Sequence, residues 1–323
     1  MGQSKRCVIL EDIDCIPSQH LLFLNPFSCL RNGHLDNDCQ LCVSQCGIQA
    51  IDIVKRKIPL IKENCTNCGD CIGICPTESL GLKEFDVISF IFDFLEKDEN
   101  RIIEKMDIPT LGIFNPYHLI SLVLRTKRNL FLEYDQTNTE HNLNYLEKIV
   151  QQSNLFLASI GFESSLFIRA YKTESDINNK NSFSPYLTPE KYEQETTLPK
   201  KLVLFKNSLK IVCEDIATHL YDLSDLNTLF NKQINKLSCT NCIDCITFCP
   251  TNALFQSADK SSILFQSGKC IGCNICETVC KTQAIEQNNE IDLIQYMFDQ
   301  TQQLVEFNHN EQFNSIFTSE RDA

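Results

Sequence analysis

Two arrays of closely spaced cysteines constrain this chain more than any other feature, and the one from Cys239 to Cys280 leaves the least freedom. It holds two runs of Cys-x2-Cys-x2-Cys-x3-Cys, Cys239-Cys242-Cys245-Cys249 and Cys270-Cys273-Cys276-Cys280, separated by twenty residues. Three thiolates in so short a loop reach three corners of one iron–sulfur cubane, while the fourth points away and serves a neighbouring cluster. The spacing therefore assigns Cys239, Cys242, Cys245 and Cys280 to one [4Fe-4S] cluster, and Cys270, Cys273, Cys276 and Cys249 to the next. Zinc also takes Cys-x2-Cys pairs, but a tetrahedral site uses two separated pairs and has no need of repeated runs of four. Disulfides would require an oxidising compartment.

With these residues in place, the stretch resembles a bacterial dicluster ferredoxin. Pro250 after Cys249 agrees with that family's pattern, whereas Lys281 after Cys280 departs from it, at the turn and not at the ligands.

A second array runs from Cys29 to Cys75. Its later half, Cys65, Cys68, Cys71 and Cys75 followed by Pro76, matches the run completely. Cys46, borrowed from the earlier half, joins Cys65, Cys68 and Cys71 in one cluster. The earlier half is irregular, because Asp36 stands three residues before Cys39 where the first cysteine belongs. Cys39, Cys42 and Cys75 thus need a fourth partner. Cys29 reaches them through the nine-residue loop Leu30 to Asp38, which contains Gly33. Asp36 is the alternative, a harder oxygen ligand that would bind iron less firmly, and an incomplete three-iron cluster is the third possibility. His34 in the same loop reads as a solvated polar residue, and Gly47 follows Cys46 where a proline would stand.

The two arrays form an internal repeat. Each places a pair of short apolar segments between its runs: Ala50 to Val54 and Ile58 to Ile61 in one, Ala253 to Phe255 and Ile263 to Phe265 in the other. Paired strands there would close each module over its clusters and exclude water.

The chain has 323 residues, 19 cysteines and a formal charge of −13. That charge argues against a nucleic-acid partner, which depends on neutralising phosphates, and it fits encounter with a basic redox partner as well as plain solubility. The first residues show no signal peptide, and the longest apolar stretch, Val87 to Leu95, is far below the ~20 residues needed to span a bilayer. A cytoplasmic location is expected, where thiols stay free to hold metal. Cys7, Cys15 and Cys213 lie outside the runs and read as buried free thiols.

Between the arrays the pattern changes. Phe85, Ile88, Phe92 and Leu95 recur at helical spacing. Thr110 to Phe114 reads as a strand, Pro116 to Thr126 as a helix, Leu130 to Tyr134 as a strand, Thr139 to Ile160 as a long helix stopped by Gly161, and Leu166 to Tyr171 as a third strand. Such alternation implies parallel β-α-β units. From about Ile108 to Tyr171 the order is similar to the small α/β domain in the delta subunit of methyl-viologen-reducing hydrogenase. That family has cysteines at its strand ends, where this sequence has Asn115 and Asp135. Glu133 and Asp135 read as structural or solvated carboxylates. Lys172 to Leu198 reads as a linker, Pro199 to Val212 as a helix, Ser224 or Asp225 as the cap of another, and Glu290 to Phe307 as a last amphipathic helix.

The expected fold is α/β combined with two small α+β ferredoxin-like dicluster modules, with a short parallel sheet and flanking helices in the middle. The expected divisions are residues 1–82 and 233–323 for the two modules, 83–172 for the α/β spacer and 173–232 for a linker with helices. No hydrolase, metalloprotease or phosphate-binding motif occurs, so no independent catalytic site is expected. The resemblance implies an electron-transfer polyferredoxin with up to four [4Fe-4S] clusters and a redox protein as partner. The alternatives are a subunit or assembly partner of a formate dehydrogenase, hydrogenase or heterodisulfide-reductase-like complex, and an iron–sulfur redox sensor.

Overall fold

The computed structural model describes residues 21–33, 37–53, 59–171, 198–214, 216, 220–222 and 229–307. The expectations for Cys7, Cys15, His34, Asp36, the linker after Lys172 and the cap at Ser224 or Asp225 fall outside the described residues.

In the first array, β1 (Leu22–Leu24) leads through a 3-10 turn at Pro26–Ser28 into two short helices, α1 (Leu30–Gly33) and α2 (Leu41–Ser44). Then come β2 (Ile51–Ile53), β3 (Pro59–Ile61), α3 (Asp70–Ile74) and β4 (Leu80–Leu82). β2 pairs antiparallel with β3, Ile51 opposite Ile61, and β1 pairs with β4, Leu22 opposite Leu82. The expected inner strand pair is present. Period-two alternation decides its burial: Ile51 faces inward and Asp52 outward.

In the middle, α4 (Val87–Leu95) starts where the Asp86 carboxylate accepts the Ser89 N–H at 2.8 Å. β5 (Arg101–Ile103) follows, then α5 (Pro116–Thr126), capped by Asn115 with Pro116 in its first turn. β6 (Leu130–Tyr134), α6 (Glu140–Ser159) and β7 (Leu166–Ala170) complete a three-stranded parallel sheet of order β5-β6-β7. Gly161 takes φ 75° just beyond α6, the left-handed stop expected of it.

One strand is not where the sequence places it. Thr110 to Phe114 contains a 3-10 turn at Leu111–Ile113, and the first strand of the sheet is β5. The Thr110 hydroxyl donates to the Cys68 carbonyl at 2.6 Å and accepts the Gly112 N–H at 3.2 Å. These bonds hold the segment against the cysteine loop, so it does not pair in the sheet.

α7 (Lys200–Ile211) packs against α5. Next come β8 (Leu220–Asp222), β9 (Asn231–Ile234), α8 (Asp244–Thr247), β10 (Leu254–Gln256), β11 (Ser262–Phe265), α9 (Ile275–Val279) and β12 (Ile285–Asn288). β10 pairs antiparallel with β11 and β9 with β12, repeating the two pairs of the first array. The expected terminal helix is instead β13 (Glu290–Asp292), α10 (Leu293–Met297) and β14 (Gln302–Glu306). β13 pairs with β8 and β14 with β11, and Asp299 at φ 52° turns the chain between α10 and β14. Strand partners distant in sequence override the helical periodicity.

One large core joins the first array, the sheet, α5, α6 and α7, and takes in Ile271, Ile275 and the 291–297 segment. A second, smaller core fills the rest of the last array around Leu254, Ile263 and Phe265.

Candidate metal centre

The cysteine runs share one local design. The third cysteine of each lies in a short helix: Cys42 in α2, Cys71 in α3, Cys245 in α8 and Cys276 in α9. Three residues after each fourth cysteine stands a residue in the left-handed region: Gln49 at φ 53°, Glu78 at 53°, Asn252 at 52° and Gln283 at 51°. This turn folds the chain back so that the next residue faces the sulfur. The N–H groups of Ala50, Ala253 and Ala284 donate to Cys46, Cys249 and Cys280 Sγ, each at 3.2 Å, and the Ser79 hydroxyl stands 3.3 Å from Cys75 Sγ. Such donors favour the charged thiolate.

Three runs also coil between their first and third cysteines, with positive φ at Asn67 and Gly69, at Asn241 and Ile243, and at Gly272 and Asn274. The run headed by Asp36 lacks this coil. Neither Asp38 nor Gln40 has a positive φ, and Gln40 takes φ −129°. Its route is different: Cys29 arrives buried from the 3-10 turn, and Arg31 donates to the Cys39 carbonyl at 2.9 Å.

Three groups of four thiols line cavities, and Cys29, Cys39, Cys42 and Cys75 lie near enough to feel one another's charge. Burial raises the Cys29 thiol above its ordinary value, and the charges of Cys75 and Cys39 add to the rise. Burial likewise pushes Cys42 up to about 12, with Cys75, Cys39 and Cys29 contributing. Cys46, Cys65, Cys68 and Cys71 line a cavity of about 170 Å³. Cys249, Cys270, Cys273 and Cys276 line a second cavity, and Cys239, Cys242, Cys245 and Cys280 a third. Burial raises Cys71 well above its ordinary range, and Cys245, Cys270 and Cys276 to about 12.

Crowded, buried thiols resist ionising together unless a cationic centre lies between them. Among the described residues, no three Cys, His, Asp or Glu side chains converge as ligands of a single ion would. Twelve of the thiols line cavities in groups of four, and the repeated runs along the chain suit the corners of clusters. The donor set therefore fits an iron–sulfur cluster.

Other polar residues have structural duties. Glu133, 2% exposed, accepts from Arg101 at 2.8 and 2.6 Å and from Arg169 at 2.8 Å. Although burial opposes it, these guanidinium bonds hold its carboxyl below the usual range. Asp135 is paired with Lys105 and accepts from the Thr137 N–H at 2.7 Å and the Tyr171 hydroxyl at 2.9 Å. Cys213 is half-buried against the large core, outside these groups.

Sequence reasoning missed Lys201 and Lys232, both buried and both directed at the cysteine runs. Nothing in their local sequence marks them. Lys201 belongs to a lysine-rich helix start, Lys-Lys-Leu-Val-Leu-Phe-Lys, and Lys232 to the polar strand Asn-Lys-Gln-Ile.

Residues 262–285 match the family model described as a 4Fe-4S binding domain. Over 48 residues the chain is 35% identical to a ferredoxin of Methanothermococcus thermolithotrophicus, a match that spans 15% of this chain and 80% of that relative. No solved structure matches. Among the described residues, no helix is long and apolar enough to cross a membrane. With a thiol geometry suited to iron–sulfur clusters, a 4Fe-4S domain match and a ferredoxin matched over most of its own length, the chain belongs to the ferredoxin family of 4Fe-4S proteins.

Proposed function

We propose that this protein is an electron-transfer polyferredoxin with four [4Fe-4S] clusters, exchanging single electrons with a redox protein partner. The holders are Cys29, Cys39, Cys42 and Cys75; Cys46, Cys65, Cys68 and Cys71; Cys249, Cys270, Cys273 and Cys276; and Cys239, Cys242, Cys245 and Cys280. The clusters, when bound, supply one-electron redox chemistry at potentials set by ligands, burial and hydrogen bonds to sulfur.

The observation that carries the reading is the fourfold recurrence of one sulfur-facing turn, at Cys46, Cys75, Cys249 and Cys280. Cys29 and Cys249 line the same cleft of about 840 Å³, which supports taking the set of Cys29 and the set of Cys249 as the inner pair. In the group of Cys239, Cys242, Cys245 and Cys280, Cys242 is exposed, with Leu237 97% exposed and Ile243 also exposed nearby in sequence. That exposure offers a partner access to the outer set.

Anaerobic iron and sulfide counting with EPR of the reduced and oxidised protein tests the reading. About sixteen irons, with interacting signals on reduction, are expected for four cubanes. A count of about eight, or zinc in place of iron, would overturn it.

A further inference from the structure

Among the described residues three lysines are buried: Lys201, Lys206 and Lys232. Lys206 is paired with Asp299. The other two meet the inner cysteine sets. Lys201, 4% exposed at the start of α7, donates through Nζ to the carbonyl oxygen of Cys75. The Glu78 carboxylate lies at the same helix start, accepting the N–H groups of Lys200 and Lys201 at 2.7 and 3.0 Å. Lys232, 2% exposed on β9, donates through Nζ to Asn274 Oδ1 at 2.9 Å and Gln287 Oε1 at 3.0 Å, and pairs with Glu277. Asn274 and Glu277 sit inside the run from Cys270 to Cys280, next to Cys273 and Cys276, so the Lys232 ammonium and the Glu277 carboxylate both lie against that run.

The outer sets have different surroundings. Asp70, 1% exposed, brings a like charge to Cys68. Among the described residues, none of the three buried lysines hydrogen-bonds to the stretches Cys46 to Cys71 or Cys239 to Cys245. A buried ammonium is costly unless an anion meets it. The fold nevertheless keeps one at each inner set, supplied by unrelated elements, a helix in one case and a strand in the other. In a low-dielectric interior a positive charge beside a cluster favours its reduced, more negative form.

We propose that Lys201 and Lys232 are potential-setting residues that raise the reduction potentials of the two inner clusters above those of the two outer ones, making the pair beside the cleft the electron sink of the protein. The inference rests on the four-cluster reading. It orders the clusters by potential, outer low and inner high, from two charges that the cysteine spacing does not reveal.

The test is an EPR-monitored potentiometric titration of the anaerobic holoprotein, with iron counted on the same samples. In the wild type, two clusters are expected to reduce at a higher potential than the other two. Lys201→Met and Lys232→Met should each move one member of the upper pair, so that its oxidised form exceeds the reduced by about tenfold at the former midpoint, a shift of 59 mV for a one-electron couple. Lys201→Arg and Lys232→Arg should stay close to wild type, because they keep the charge. Where a methionine variant fails to fold, the glutamine variant replaces it. All four wild-type clusters reducing at one potential would overturn the inference, as would an upper pair that stays in place when the charge is removed at full iron content. About sixteen irons without a split leaves the four-cluster reading standing and removes only this inference, whereas about eight irons removes the reading itself.

Discussion

The Asn142 amide, on α6, donates to the Asp70 carboxylate at 2.9 Å, and Asp70 lies inside the Cys65–Cys75 run. A long helix of the α/β layer thus grips the loop that carries Cys68 and Cys71, two of the proposed ligands. The other carboxylate oxygen, Asp70 Oδ1, is buried without a hydrogen-bond partner. Removing the amide leaves the carboxylate less satisfied still. Asn142→Ala is expected to destabilise the holoprotein by about 2 kcal/mol, read as a lower urea midpoint under anaerobic conditions. An unchanged midpoint would show that the bond contributes nothing net.

Gly73, in the cysteine loop, packs tightly against the middle of the chain. A Cβ there would lie 2.1 Å from Tyr145 Oη and 2.3 Å from the Phe114 carbonyl oxygen, two atoms that are themselves hydrogen-bonded at 2.8 Å. Gly73→Ala should cost about 3 kcal/mol through overpacking. Adding Tyr145→Phe removes the hydroxyl but not the carbonyl, so the double variant should recover only part of that loss. Thermal unfolding of the four corners of this cycle measures both.

His118 makes part of the stability depend on pH. Burial, assisted by the Lys201 charge, lowers its imidazole from 6.5 to about 3, and neither ring nitrogen has a hydrogen-bond partner in the structure. The folded protein holds it neutral while the unfolded chain takes a proton near pH 6.5. Its stabilising contribution is therefore complete above pH 6.5 and drains away as the pH falls toward 3. Between pH 7.5 and 5.5 the wild type should lose about 1 kcal/mol more stability than His118→Leu. Equal losses in anaerobic denaturant unfolding would contradict this.

The irregular run makes the sharpest compositional prediction. With Cys29 as ligand, Cys29→Ser should remove or convert one cluster, lowering the iron count by about one to four per chain, while Asp36→Asn leaves it unchanged. The opposite result would assign the ligand to Asp36. The absence of the coiled turn at Asp38 and Gln40, together with the charge coupling of Cys29 to Cys75 and Cys39, supports the first outcome.

The cysteine runs were legible because their chemistry is local. Cysteines two or three residues apart and the short strands between the runs are decided within about a dozen residues. The helices α4, α5 and α6 were legible through their apolar patterning, while their caps Asp86, Asn115 and Thr139 came from the structure. Thr110–Phe114 was not legible, since its apolar residues serve a strand and a buried 3-10 turn equally well, and the bond from Thr110 to Cys68 spans 42 residues. The 290–307 segment misled in the same way, because β13 and β14 exist through pairing with β8 and β11.

By itself, the sequence determined which thiols stand close along the chain, since their spacing along the backbone sets what one loop can reach. Only the tertiary structure decided what surrounds those atoms. Cys29 and Cys249 come to one cleft, and Lys201 and Lys232 to the inner sets, through packing between segments more than forty residues apart. Charge acts through space, and a lysine 126 residues from its cysteine partner carries no mark of that meeting in its local sequence.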